Sequence, residues 1–193
     1  MFEQLSFSGF EPDAALDCLF FALLLSGVDV SPIVQLRERL RHEHGLKGRL
    51  IATKLLHISL HGIGVYHGLP RAKVAAAKQA AARVSMRPFD IVFDCAMSFG
   101  SNREGLPLVL RPCNDAVLMS FYRLLGEAMK SVGFRRVASR FTPHMTLLYG
   151  DRIVKKRAID AIRWTVRDFV LVQSLRGRGH REYNHLARWQ LQG

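Results

Sequence analysis

The chain has 193 residues, of which 28 are Lys or Arg and 16 are Asp or Glu, so its formal net charge is +12. A hydrophobic content of 49% with 23% charged residues is typical of folded globular proteins and excludes the disordered and collagen-like classes. We expect one domain over residues 1–193, because this length is within the usual size of a single domain.

The apolar run over residues 18–28 is too short for a membrane-spanning helix, which needs about 20 apolar residues. No Lys or Arg precedes it, unlike the basic start of a signal peptide. The three cysteines have no CxxC spacing, which favours a reduced protein without a disulfide framework or zinc knuckle. We therefore expect a cytoplasmic protein, monomeric and without a membrane partner.

The excess of basic residues has two explanations that the composition leaves open. A net charge of +12 raises the local concentration of anionic partners such as RNA. The same charge is also compatible with a simple solvated basic surface. The loop at residues 176–181, Arg-Gly-Arg-Gly-His-Arg, shows the same ambiguity, because it suits either RNA phosphates or a solvated hairpin turn.

The first half of the chain alternates predicted strands and helices. Ser31-Pro32 is a typical helix start, since Ser caps the first turn and Pro tolerates the first helical position. In chain order we predict a strand over residues 18–25, a helix over 31–44 ending at Gly45, a strand over 55–60, and an Ala-rich helix from Pro70 that Pro88 ends.

The second half repeats this rhythm, and its clearest element is a helix that Asn114 or Asp115 caps and Gly133 ends. The predicted apolar stripe of that helix consists of Val117, Leu118, Phe121, Leu124, Leu125, Ala128, Met129 and Val132. The predicted strands cover residues 89–97 and 106–110 with a polar turn at 100–103, then 141–149 with Pro143 marking an edge or bulge, 164–175 and 186–191. The pattern predicts a mixed α+β fold of two lobes.

Two of the predicted strands contain the same short motif. One is Leu-His-Ile-Ser-Leu at residues 56–60 and the other is Pro-His-Met-Thr-Leu at residues 143–147. Side chains two apart in a strand point to the same face, so each motif places an imidazole beside a hydroxyl. A single His-x-Ser/Thr match is weak, but one copy in each half with the same framing is informative.

The paired motifs have a specific chemical use if the two strands lie side by side. One neutral His can take a proton from a nucleophile while a protonated His donates one to a leaving oxygen. Ser59 and Thr146 can donate hydrogen bonds to non-bridging phosphate oxygens. The motifs therefore predict metal-free phosphodiester chemistry at His57 and His144, without fixing the ester.

The chain resembles the 2H phosphoesterases, and within them the bacterial 2′-5′ RNA ligase / RNA 2′,3′-cyclic phosphodiesterase family. The resemblance runs from the apolar segment at residues 19–23, through both motifs, to the segments at 164–166, 169–174 and 188–191. It implies two pseudo-symmetric lobes, each an antiparallel sheet with helices packed outside, around a central groove.

The resemblance also implies roles for residues. His57 and His144 are the catalytic pair, and Ser59 and Thr146 bind the phosphate. The implied reaction opens RNA 2′,3′-cyclic phosphate ends to a 2′-phosphate, with His144 as base and His57 as acid. Its reverse, with an RNA 5′-hydroxyl as nucleophile, makes a 2′-5′ linkage. No cofactor or metal is implied, and no nucleotide-binding Gly-rich loop is found in the sequence.

The chain departs from the family pattern in ways that concern substrate choice. Ser59 replaces the commoner Thr, and Gly62 stands where an aromatic residue often follows. Tyr149 replaces an Arg found in many relatives, and we expect Tyr149 and Arg152 to contact the substrate, with Arg152 supplying the missing charge. Two other functions stay open: a non-catalytic RNA-binding module of the same fold, and a phosphodiesterase on a small cyclic nucleotide or a 2′-5′ oligonucleotide.

Overall fold

The computed structural model describes residues 16–25, 30–100, 105–175 and 182–193. Most of the predicted polar turn at 100–103 and the whole basic loop at 176–181 lie outside these residues. In chain order the elements are β1 (Leu16–Leu24), α1 (Ser31–Glu43), β2 (Gly48–Leu50), β3 (His57–His67), α2 (Arg71–Ala81), β4 (Phe89–Ser98), β5 (Leu106–Arg111), α3 (Ala116–Ser131), β6 (Met145–Gly150), β7 (Arg157–Val166), β8 (Asp168–Leu175) and β9 (Glu182–Gln190).

The strands form one nine-stranded sheet in the order β7-β4-β5-β6-β3-β1-β8-β9, with β2 paired to β6. Each pairing is antiparallel. Within the described chain, β3 and β6 pair only at Ile58 and Met145, so this pair joins a half made of β7, β4, β5, β6 and β2 to a half made of β3, β1, β8 and β9. The predicted α+β class with antiparallel sheet is confirmed, and the two halves agree with the predicted lobes.

The two faces of the sheet differ in what covers them. The buried apolar side chains of all three helices belong to one large cluster that runs through both halves of the sheet. A second, smaller cluster consists of strand residues alone: Phe20, Ala22, Leu24, Val170 and Val172. We call the face that bears this second cluster the open face. The central row of the helix-covered face is fully buried and crosses five strands through Ala96, Leu110, Met145, Ile58 and Leu23.

The prediction of one strand over residues 164–175 is wrong. The chain breaks at Arg167 into β7 and β8, which lie at opposite sides of the sheet. The predicted run is apolar and rich in β-forming residues on both sides of Arg167. No local pattern therefore marks the point where the chain crosses from one half of the sheet to the other. The Arg167 carbonyl accepts a hydrogen bond from the Leu191 backbone N–H, 2.8 Å away, so this bend is tied to the end of β9.

The helices differ from their predicted details. Ser31 is the first residue of α1 rather than its cap, and neither α1 nor α3 has a side-chain cap hydrogen bond from its N-cap residue. Val117 and Leu124, placed in the apolar stripe of α3, are 46% and 38% exposed. The buried face of α3 instead includes Tyr122 and Gly126, because α3 contacts β3 and α2 on that side.

Several strand boundaries also differ from the predicted ones. The strand predicted over residues 55–60 begins at His57 and extends to His67, and β6 begins only at Met145, after the buried Pro143. Strand β6 lies inside the sheet, so the prediction that Pro143 marks an edge strand is wrong. The short strand β2 was not predicted. None of the described helices is both long enough and apolar enough to cross a bilayer.

Candidate active site

The pair of Ile58 and Met145 brings the two sequence motifs together. Both side chains are fully buried on the helix-covered face, so their neighbours His57, Ser59, His144 and Thr146 point to the open face. Antiparallel geometry around this pair sets His57 opposite Thr146 and Ser59 opposite His144. The two histidines are then diagonal neighbours, which in antiparallel pairs are about 7–8 Å apart with their Cβ atoms somewhat closer, and this leaves room for a phosphate between the rings.

Both imidazoles are oriented by the same local contact. Nδ1 of His57 donates to the Leu55 carbonyl at 2.7 Å, and Nδ1 of His144 donates to the Thr142 carbonyl at 2.7 Å. A carbonyl oxygen only accepts, so each Nδ1 carries a hydrogen and each Nε2 is the nitrogen that gains or loses the exchangeable proton. In both motifs the carbonyl lies two residues before the histidine, so the same hydrogen bond orients the imidazole in each half.

The surroundings of His144 favour its neutral form. Burial lowers its pKa below the usual histidine value, and the positive charge of Arg111 lowers it further, while the bond to Thr142 acts in the opposite direction. A neutral imidazole whose Nδ1 carries the hydrogen exposes a basic Nε2 lone pair. His144 is therefore suited to accept a proton near neutral pH.

The two hydroxyls lie on the same face as the histidines. Ser59 is exposed, and its Oγ is 2.9 Å from His57 Nε2. Thr146 is half-buried and pairs with Val109 of β5. When His57 is protonated, its Nε2–H donates to Ser59 Oγ, which leaves the Ser59 hydroxyl hydrogen to donate elsewhere. Both hydroxyls are thus placed to donate to an anion on the open face.

Aromatic rings stand beside both histidines. Phe20 of β1 and Tyr183 of β9 have ring centroids 5.6 and 5.4 Å from that of His57. Phe99, which follows β4, lies 4.9 Å from His144 in an edge-on arrangement. Gly62 pairs with Phe20, so the neighbouring strand brings an aromatic residue to the region where position 62 has none.

A bulge in β6 changes the alternation before Tyr149, whose partly buried ring also packs against the large apolar cluster. Leu108 of β5 pairs with Leu148, but Val109 pairs with Thr146, so β6 contains one extra residue at Leu147. Without the bulge, strict alternation would put Thr146 and Tyr149 on opposite faces. The Arg49 guanidinium of β2 lies over the Tyr149 ring, 4.9 Å from its centroid.

Arg152 does not join this group. It is exposed and follows the far end of β6, whereas His144 immediately precedes the strand. Its guanidinium lies near Gly45 at the end of α1, since a Cβ built on Gly45 would be 3.9 Å from Arg152 Nη1. The structure therefore brings the four motif residues to one face, with Tyr149 beyond the bulge near the end of β6 and Arg152 past that end.

Arg111 is a residue of this face that the sequence analysis missed. Leu110 pairs with Met145, so Arg111, the last residue of β5, stands beside His144. The alternation of β5 held the relevant signal, because Val109 and Arg111 share a face. The strand was predicted to end at residue 110, which left Arg111 outside it.

His61 is not part of the site, although it is two residues beyond Ser59. A register shift between β1 and β3 adds a residue to β3, and His61 turns to the helix-covered face. There its ring stacks on Tyr122 at 3.8 Å and its Nε2 lies 2.9 Å from the Tyr122 carbonyl. His57 and His61 thus face opposite sides of the sheet and do not form a two-histidine metal pair.

Comparisons with known proteins bear on the family and the fold of the chain. A family model described as the 2′-5′ RNA ligase superfamily matches residues 25–178. The chain is similar to E. coli LigT in its apo form, at 24% identity over 93% of this chain and 100% of that chain, with a TM-score of 0.67. LigT complexed with 3′-AMP matches at 25% identity, covering 95% and 100%, with a TM-score of 0.68.

A third solved structure is similar in fold. TT0787 of Thermus thermophilus matches at 20% identity over 91% of this chain and 98% of that chain, with a TM-score of 0.71. A comparison with curated proteins gave no match.

Proposed function

Because this chain belongs to the 2′-5′ RNA ligase superfamily, we propose that it is a metal-independent phosphodiesterase that opens RNA 2′,3′-cyclic phosphate ends to a 2′-phosphate. The observation that carries the proposal is the diagonal placement of His57 and His144 around the Ile58–Met145 pair. Two imidazoles that flank one anion can supply both proton transfers of a hydrolysis.

The proposed step uses one proton acceptor and one proton donor. His144 Nε2 takes a proton from water as the water oxygen attacks phosphorus. The bond between phosphorus and the ribose 3′-oxygen breaks, and protonated His57 donates its Nε2 hydrogen to that oxygen. The product has a 2′-phosphate and a 3′-hydroxyl. The lowered pKa of His144, caused first by its burial, supports its role as the base.

The hydroxyls of Ser59 and Thr146 hold the phosphate in this proposal. Negative charge concentrates on the non-bridging oxygens as water adds, and fixed donors stabilise that charge without reorganising. Before substrate binds, the Ser59 oxygen can accept from protonated His57; in the reaction that Nε2 hydrogen goes to the leaving 3′-oxygen, and the Ser59 hydroxyl donates to the phosphate. The reverse step, with an RNA 5′-hydroxyl in place of water, would form a 2′-5′ linkage.

The nucleotide character of the substrate has independent support. The related LigT was solved in complex with 3′-AMP, a ribonucleotide that bears a 3′-phosphate. Phe20 and Tyr183 near His57 provide aromatic surface of the kind on which bases stack. A net charge of +12 favours the approach of a polyanion such as RNA.

Replacement of each histidine by alanine tests the proposal. His57→Ala and His144→Ala should each reduce kcat for an RNA with a 2′,3′-cyclic phosphate end by roughly 10²–10⁴-fold. His67→Ala, at the exposed far end of the same strand as His57, is the matched control and should retain turnover. The product is identified by 31P NMR as a 2′-phosphomonoester. Retention of most activity in both site variants would refute the assignment.

A second assay separates the remaining alternatives. Turnover of a mononucleotide 2′,3′-cyclic phosphate is compared with turnover of an RNA that has the same end. Equal specificity constants would favour a small-molecule substrate. Salt-sensitive RNA binding without any product would favour a non-catalytic RNA-binding module.

A further inference from the structure

We propose that Arg111 is a third phosphate-binding residue of this site, which contacts a non-bridging oxygen of the anion between His57 and His144. This inference rests on the proposed function only in that the site binds a phosphate ester. It assigns a charge to the site that neither sequence motif contains.

The register of the sheet places Arg111 in the same row as the reacting groups. Arg111 pairs with Cys95 on one side, and the Leu110–Met145 pair sets it beside His144 on the other. Ser59 follows His144 in that row, across the Ile58–Met145 junction. Since opposite residues have Cβ atoms about 4.5–5.5 Å apart, a guanidinium at this position reaches an anion that also touches His144.

Arg111 is half-buried, and its guanidinium lacks a partner at one buried atom. Its Nε is buried and has no hydrogen-bond acceptor, and no ion pair to Arg111 occurs within the described ranges of the chain. A buried donor left unsatisfied destabilises the fold, and it does so more strongly when the group is charged. Such a group is expected where an incoming ligand provides the missing acceptor.

The chemistry of the guanidinium identifies the ligand class. Its planar fork donates two parallel hydrogen bonds to phosphate oxygens, a geometry that an ammonium group does not match. Ser59 and Thr146 are neutral donors, so Arg111 adds a cation beside the motif residues on this face. A phosphate ester that binds here would be neutralised by Arg111 on the side of His144.

The position of Arg111 also contributes to the state of the base. Its positive charge adds to burial in lowering the pKa of His144. The same residue would therefore bind the substrate phosphate and help to keep the neighbouring imidazole unprotonated. Both effects require a cation beside His144 rather than a hydrophobic residue.

Calorimetric titration of the full chain with inorganic phosphate tests the proposal directly. Arg111→Met should weaken phosphate binding by about tenfold to a hundredfold, since hydrogen bonds to charged groups are among the strong ones. Arg111→Lys keeps the charge but loses the fork and should be intermediate. The control Arg71→Gln removes the same charge at the exposed start of α2 and should bind phosphate like the unmodified chain.

Thermal unfolding of the same variants separates binding from folding. Because the buried Nε has no partner, Arg111→Met should leave the Tm unchanged or raise it while phosphate affinity falls. If Arg111→Met binds phosphate as Arg71→Gln does, or if the unmodified chain binds no phosphate, the proposal is refuted. If Arg111→Met does not fold, Arg111→Lys decides by the same comparison.

The outcome is independent of the proposed reaction. A chain that binds phosphate through Arg111 but does not open cyclic phosphates would refute the proposed function and retain this inference. If Arg111→Met turns over cyclic phosphates and binds phosphate as well as the unmodified chain does, this inference is refuted and the proposed function is retained.

Discussion

Ile58 and Met145 face each other across the centre of the sheet, and within the described residues they are the pair at which β3 meets β6. Neither side chain is exposed to solvent. Each is flanked in sequence by a histidine and a hydroxyl residue on the opposite face. The distance between the two catalytic candidates is therefore set by a hydrophobic contact that neither of them makes.

Met145→Ala should disturb both stability and catalysis. Truncation of a fully buried Met is expected to cost about 2–5 kcal/mol in the free energy of unfolding, measured by urea denaturation. It should also reduce kcat/KM by about tenfold or more, because the two imidazoles lose their fixed spacing.

Leu118→Ala on α3 is the matched control for this effect. Leu118 is also buried, at 2% exposed, but lies on a helix and not at the junction. It should cost a similar free energy of unfolding and leave kcat/KM within about twofold, when both variants are assayed where they are folded. Equal losses of kcat/KM in the two variants would contradict a special role for the junction.

In the pH profile of kcat/KM, the fall in rate on the acidic side should occur only at low pH. His144 acts as base only when neutral, and its pKa is lowered by burial and by Arg111. The rate should therefore fall on the acidic side only below about pH 6.5, the ordinary histidine value. The measurement is a kcat/KM profile with circular dichroism at each pH as the control for folding. An acidic limb above that value would assign the base to another group.

The free energy of unfolding should decrease in mildly acidic solution because of His61. Burial lowers the pKa of His61 in the folded protein, with a smaller contribution in the same direction from Lys130 and an opposing one from the bond to Tyr122. The unfolded chain then binds the proton more readily, so stability is lost as pH falls from about 6.5 toward the lowered value.

His61→Leu removes this titration and places an apolar side chain against Tyr122. The difference in the free energy of unfolding between pH 7.5 and pH 5, measured in urea at about those values, should become smaller. It should not vanish, since His144 has a lowered pKa in the same direction. His67→Leu, at an exposed position, should leave the difference unchanged.

Gly48→Ala should disrupt the pairing of β2 with β6. Gly48 has a φ of +152°, and a Cβ there would collide with the Tyr149 carbonyl oxygen. Gly68 also has a positive φ, +71°, but a Cβ would meet nothing within 4 Å. Gly68→Ala should cost roughly 1–2 kcal/mol in stability, and Gly48→Ala clearly more. Equal costs would show that the close approach at Gly48 is relieved elsewhere.

Turnover of the cyclic phosphate should survive treatment with a chelator. In the proposed reaction the two imidazoles would supply both proton transfers, and Arg111 with the two hydroxyls would balance the charge on phosphate. The expected result is an unchanged kcat after dialysis against EDTA. A loss of activity that a divalent cation restores would show that a metal takes part.

The arrangement of side chains within each motif could be predicted from the sequence because strand alternation is a local property. Residues two apart share a face in any strand, so His57 with Ser59 and His144 with Thr146 followed from spacing alone. The apolar residue between them had to be buried, and Ile58 and Met145 are. The family resemblance added the expectation that the two motifs meet.

Features that local patterns do not show depend on irregular alternation or on distant contacts. The bulge at Leu147 changes the alternation before Tyr149, and the extra residue in β3 turns His61 to the helix-covered face. The run over residues 164–175 was read as one strand because apolar residues continue through Arg167. Arg152 follows the far end of β6 whereas His144 precedes that strand, so its contact with the substrate stays a prediction.

Alternation and residue type are local, so the amino-acid sequence alone establishes which side chains share a face and what chemistry they can perform. Which strands are neighbours, and in which register they pair, depends on the assembled sheet. Register depends on hydrophobic contacts between segments far apart in the chain, such as Leu110 with Met145 and Met145 with Ile58. For that reason only the assembled sheet identified Arg111 as the cation beside His144.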